Sequence, residues 1–184
     1  MKKINIFILA LFLVIPSLSF AEKAPKIIDD LAHSMLAAIG SDPVIVDAVN
    51  QENAKGKTLD QVKSMDEKWQ KTAGIADYMK ALMDSACGKH LKTIQAQKPF
   101  YAEIFVMDNL GAIVAMTDKT SDYWQGDEAK FNESINNGVG AVFIDEVEFD
   151  ESSQSYLVQV SVPVKDGDKV IGAITFGIDV DQVN

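Results

Sequence analysis

Tyr123 and Trp124 stand side by side in a polar stretch, Thr117 to Glu128, between two apolar runs of strand-like period. A phenol beside an indole offers a hydrogen-bonding hydroxyl and a flat π face, which together suit the wall of a small-molecule pocket. The same pair could instead anchor the loop to the sheet. Lys130, and its rival Lys119, could bring an ammonium to an acidic ligand. The chain has no arginine, so any carboxylate must be met by lysine, backbone N–H groups or neutral donors rather than by a guanidinium fork. Acids far outnumber lysines between Asp118 and Glu151, and such a rim favours cationic or zwitterionic ligands. Asp118 and Asp145, each at a predicted strand end, are the acids expected nearest a pocket; most of the others are expected to be solvated.

Other chemistries find little support. Cys87 and His90 have the gap of half a metal site, but no second cysteine or neighbouring histidine completes it, so a buried thiol and a surface imidazole are expected. No Gly-x-Ser-x-Gly elbow or Gly-rich phosphate loop is present, and Gly138-Val139-Gly140 reads as a turn. Neither a cofactor nor a metal is expected, nor an enzyme activity. A formal net charge of −10 repels phosphate backbones, which disfavours nucleic acid as a partner.

The N-terminus carries Lys2 and Lys3, an apolar run from Ile4 to Phe20, and small residues at Ser19 and Ala21. That pattern predicts a signal peptide over 1–21, cleaved after Ala21, and a periplasmic mature chain. An uncleaved anchor is the competing reading.

The elements that must position these residues change period near Pro99. Residues 22–98 read as a helical region. Ile27, Ile28, Leu31, Met35, Leu36 and Ile39 form one apolar stripe; Asp42 or Ser41 caps a second helix with Pro43 at its first position. Thr58 and Gln61 have capping-box spacing for a third, and a fourth runs from Ile75 to Ile94. Residues 99–184 read as five strands, over 102–107, 112–116, 141–147, 155–164 and 169–178, with Glu146 to Ser153 as a solvated hairpin tip. In the fourth strand Tyr156, Val158, Val160, Val162 and Val164 share one face, and Leu157, Gln159, Ser161 and Pro163 the other. Ser161 and, from the fifth strand, Thr175 then lie on a small-residue face that either meets water or offers donors to a ligand.

The segments Phe105-Val106-Met107-Asp108-Asn109-Leu110-Gly111, Thr117 to Lys130, and Val160-Ser161-Val162-Pro163-Val164 followed by Gly172-Ala173-Ile174 resemble the strand, ligand loop and final hairpin of a single Cache (PDC, PAS-like) extracytoplasmic sensor domain. The resemblance covers roughly residues 25 to 184. It implies an α+β fold: a PAS-like five-stranded antiparallel sheet in the order 2-1-5-4-3, with long N-terminal helices and a ligand held between sheet and insert. It also implies a small polar metabolite as ligand, an amino acid, short carboxylate or amine, and a homodimer as a plausible assembly. Such domains sit in membrane chemoreceptors, histidine kinases or cyclases. This chain ends at Asn184 with no second membrane helix or signalling module, so it is expected to pass its state to a separate partner of that kind, or to carry its ligand. The competing function is a ligand-free interaction module docking on a receptor or kinase.

Overall fold

A computed structural model describes residues 23–150 and 154–183 of the chain. The leader expected over 1–21 lies outside the described residues, and no described helix is long and apolar enough to cross a membrane.

The first apolar stripe forms α1 (Lys26–Leu31), a π-helical stretch (Ala32–Leu36) and α2 (Ala37–Ile39), which follow one another directly and bury Ile28, Ala32 and Leu36. α3 (Pro43–Asn53) starts where its cap predicts: Asp42 accepts from the Val44 N–H at 2.8 Å, and Pro43 fills a position whose N–H has no helical partner. α4 (Leu59–Lys71) has the full capping box, with Thr58 accepting from the Gln61 N–H and Gln61 accepting from the Thr58 N–H. The fourth predicted helix divides into α5 (Asp77–Met83) and α6 (Ala86–Gln95). Ser85 makes the break, because its hydroxyl accepts from the Gly88 N–H at 2.9 Å and donates to the Leu82 carbonyl at 2.8 Å.

The strands are β1 (Tyr101–Met107), β2 (Ile113–Met116), β3 (Phe143–Asp150), β4 (Ser155–Asp166) and β5 (Lys169–Asp179). They form one antiparallel sheet in the order β2-β1-β5-β4-β3, the order the Cache resemblance implies. β3 departs most from its predicted span, while the other four agree with theirs to within two residues. The acids from Glu146 to Asp150 continue the strand, because Val147 to Asp150 pair in register with Val158 to Ser155. Cross-strand pairing overrides the local polarity that reads as a tip.

The sheet has two unlike faces. On one, Val158, Val160, Val162, Val164, Ile174, Phe176 and Ile178 are wholly buried under residues of α1, α3 and α6, among them Ile28, Ile45 and Leu91. Each such side chain contributes on the order of 1.5–3 kcal/mol on burial, so this face dominates the stability of the domain. On the other, Phe105, Met107 and Ala173 meet Val62 and Trp69 of α4, Met79 of α5, and Tyr123 and Phe131 from the β2–β3 insert. The insert contains α7 (Ala129–Ile135), which packs on β3, β4 and β5.

Candidate functional site

Phe143, Glu148 and Asp150 of β3 pair with Ser161, Leu157 and Ser155 of β4, and Gln159 lies opposite Gly177, which in turn lies opposite Glu103 of β1. Strand alternation therefore brings Glu103, Gln159, Leu157 and Glu148 to the insert side of the sheet. There they line a half-open cleft of about 430 Å3 together with Glu128 and Lys130 at the start of α7 and Asp145, Glu146, Phe149 and Asp150 of β3. Six carboxylates face one ammonium.

Glu103 is the deepest of these acids. It fits because Gly177 lies beneath it: a Cβ on Gly177 would sit 2.6 Å from Glu103 Cγ. Burial pushes its carboxyl above the ordinary carboxylate range. Lys130 and a hydrogen bond from Gln159 Nε2, 3.3 Å away, offset part of that, while Asp118 and Asp150 add to it. Lys130 is largely covered, holds Glu128 at 2.8 Å and lies 5.7 Å above the Phe105 ring. The cleft thus contains a carboxylate short of positive charge and a lysine engaged by its own helix. Such a site accepts an ammonium group more readily than a second anion. Among the described residues, no group of three or more His, Cys, Asp or Glu side chains is arranged to hold a metal ion.

The residues singled out in the sequence divide between two places. Lys130 and Asp145 line the cleft, and Asp118 is exposed but within electrostatic reach of Glu103. Ser161 and Thr175 are wholly buried and bond each other at 2.7 Å, so their hydroxyls are spent on one another beneath the insert. Lys119, the rival lysine, donates to the Thr72 carbonyl at 2.9 Å.

Tyr123 and Trp124 belong to a different arrangement. Trp124 Nε1 donates to the Leu110 carbonyl at 2.8 Å, the Gln125 N–H to the Gly111 carbonyl at 2.8 Å, and the Ile113 N–H to the Tyr123 carbonyl at 3.0 Å. The backbones cross so closely that a Cβ on Gly111, whose φ is +82°, would lie 2.6 Å from Gly126 Cα; only glycine fits there. From the helical layer, Asp66 of α4 accepts from both the Tyr123 and the Trp124 N–H, and Trp69 Nε1 donates to the Thr120 carbonyl at 2.9 Å. The Tyr123 ring packs against Trp69, tilted by 40°, with centroids 5.6 Å apart. Its hydroxyl accepts from Lys57 Nζ at 3.2 Å.

Lys57 is a hub. Its Nζ lies 2.9 Å from Glu52 of α3 and 2.9 Å from Asp108 in the β1–β2 turn, and Asp108 is almost fully buried. Burial disfavours the Lys57 charge, yet Asp108 and Glu52 outweigh it and hold its pKa above the ordinary lysine value. Asp108 also accepts from the Leu110 and Ala112 N–H groups, so one buried carboxylate shapes the turn and pairs the lysine. Cys87 is a buried thiol, pushed up to about 12 mainly by desolvation and further by Asp42. His90 is less exposed than a surface imidazole, its Nε2 lying 3.0 Å from Asp42.

Sequence reasoning missed Glu103, Asp66, Lys57 and Trp69. Glu103 carried one signal, a charged residue inside an apolar strand. The others are assembled chiefly by partners more than fifty residues away, although Glu52 is only five residues before Lys57.

No family model matches the chain, and no curated protein matches it by sequence. Among solved structures it is similar to the sensor domain of the V. cholerae histidine kinase DctB, with 13% identity over 86% of this chain and 55% of that one at a TM-score of 0.41. It is also similar to the sensory domain of the Campylobacter jejuni chemoreceptor Tlp3, with 11% identity over 86% and 64% at 0.43. A third is the ligand-binding domain of the Pseudomonas aeruginosa PAO1 chemoreceptor PctC in complex with GABA, with 8% identity over 79% and 59% at 0.38. The chain spans less than two thirds of the length of each of these domains. At such scores the overlap is partial, and the fold is defined by the strand order and register of the chain itself.

Proposed function

We propose that the protein is a periplasmic sensory domain that binds a small amine or amino-acid metabolite in the β3–β4–α7 cleft and signals to a membrane partner: a chemoreceptor, histidine kinase or cyclase. One observation carries the reading: a cleft of about 430 Å3 on the insert side of a PAS-like sheet, where six carboxylates meet a single lysine. The ligand's ammonium would sit against Glu103 and Glu148, with Gln159 as a neutral partner. A zwitterion would place its carboxylate at Lys130, releasing Glu128. Asp145 would form part of the rim. Ligand contact with both α7 and β3 would bias the insert relative to the sheet, since a ligand shifts only those states it contacts differently.

The test is a thermal-shift and calorimetric panel of amines, amino acids and short carboxylates. Amines or amino acids at one hundred times Kd should stabilise the fold by about 2.7 kcal/mol, while carboxylates alone have no effect. Glu148→Gln should weaken that binding about tenfold. Silence across the amines, or binding indifferent to Glu148→Gln, would refute the assignment.

A second reading is favoured by one specific observation. Trp124 is bonded into the fold and the Ser161–Thr175 pair is sealed, as a ligand-free module docking on a receptor or kinase requires. Such a module would co-purify with its membrane partner whatever metabolite is added, and Glu148→Gln would leave that association intact.

A further inference from the structure

The break between α5 and α6 opens a second cleft, of about 420 Å3, against α3. Val44, Ala48 and Leu82 line its apolar walls, with Ala86, Cys87 and the β2 residue Val114 completing them. Val44 remains 38% exposed, although it faces a groove that reaches the core residues Cys87 and Val114. Asp47 and Glu52 of α3, with Lys55 just beyond its C-terminal end, form the charged rim. Lys55 is already held by Glu52 at 2.5 Å, and Glu52 also grips Lys57. That leaves Asp47, which is exposed, as the rim charge that none of the ion pairs found among the described residues employs.

From this apolar floor with an anionic rim we infer a second binding site, for a short aliphatic ammonium ion: the alkyl chain lies between α3 and α5–α6, and the ammonium meets Asp47. Charge selects this occupant over its neighbours. A fatty carboxylate would meet Asp47 and Glu52 with like charge, and a neutral alcohol could hydrogen-bond Asp47 but not balance its charge. Glu52 gives the site a consequence beyond binding, because it is shared with the Lys57 hub that holds Asp108 and the Tyr123 hydroxyl. An occupant whose ammonium draws Glu52 away from Lys55 and Lys57 changes the partners of Lys57, and through them the seating of the insert.

The experiment is calorimetric titration of the protein with n-butyl-, n-hexyl- and n-octylammonium chloride, with hexanol and hexanoate alongside. Affinity should tighten by about fourfold per added carbon while the chain still fits the groove. Asp47→Asn should weaken hexylammonium about fivefold, and Ala86→Phe, which fills the groove from an exposed first-turn position of α6, should abolish binding with the thermal midpoint little changed. Glu103→Gln and Glu148→Gln should leave the chain-length dependence intact, which separates this groove from the β3–β4 cleft. Affinity independent of chain length, equal binding of hexanoate, or binding lost in Glu148→Gln but kept in Asp47→Asn would each overturn the site. If Ala86→Phe unfolds the protein, Ala48→Leu narrows the same groove and must weaken hexylammonium.

Discussion

The two halves of the β2–β3 insert are held in opposite ways. From Thr120 to Gly126 it is fastened to three elements at once: the β1–β2 turn through Leu110 and Gly111, α4 through Asp66 and Trp69, and the α3–α4 connection through Lys57. From Glu128 to Gly140 its polar ties are local. Lys130 holds Glu128 of its own helix, and α7 has no side-chain cap at its N-terminus. Asn136, Asn137, Gly138 and Gly140 all have positive φ, and the hydroxyl of Ser134 is buried without a partner among the described residues. The fixed half is where aromatic chemistry first drew attention, and the acidic cleft adjoins the other half. On the proposed function, a loop that responds to a ligand would need one end that does not give way and one that can, and here the aromatic residues would serve the first.

Substitutions that sharpen this contrast should rank accordingly. Trp69→Ala removes the large buried α4 side chain that the fixed half packs against, along with its bond to Thr120, and should cost about 3–5 kcal/mol in urea unfolding. Lys57→Met leaves Asp108 buried without its cation and should cost about 3 kcal/mol by the same assay. Its pH profile should change too. Glu52 is partly buried, which on its own raises its pKa, but hydrogen bonds from Lys55 and Lys57 prevail and lower it below 4.5. Its stabilisation is therefore fully present above pH 4.5, is lost as pH falls through the depressed folded value, and should shrink in Lys57→Met.

Glu103 carries the opposite sign. Its folded pKa is raised by burial, so stability declines as pH rises from 4.5 through that raised value. Glu103→Gln should then stabilise the protein at pH 7 by no more than about 1 kcal/mol, leave it unchanged at pH 3, and abolish amine binding. Stabilisation coupled to lost binding is the mark of a carboxylate kept for a ligand; destabilisation at pH 7 would mean it serves the fold. Ser134→Ala should be smallest, within about 0.5 kcal/mol and favourable if anything, since the hydroxyl it removes has no partner among the described residues.

Much of the architecture could be read from the chain. Asp42-Pro43 and Thr58-x-x-Gln61 marked two helix starts because capping is local, and period-two patterns placed all five strands. The Ser85 cap was equally local, but the apolar stripe from Tyr78 to Ile94 ran through it and masked it. The far end of β3 was obscured because its acids read as solvent-facing until β4 pairs with them. For the site, Lys130 and Asp145 were visible as charges near a polar loop. Glu103 was not, because its depth depends on Gly177 lying opposite in a neighbouring strand, a matter of register rather than of sequence.

The two indoles of the chain both sit at the fastened half of the insert: Trp124 belongs to it and is bonded to Leu110, and Trp69 of α4 packs against its Tyr123. Intrinsic fluorescence therefore comes labelled by nature: a shift in emission maximum or quenching on adding a metabolite would show that a distant event had reached the anchor, with no dye attached.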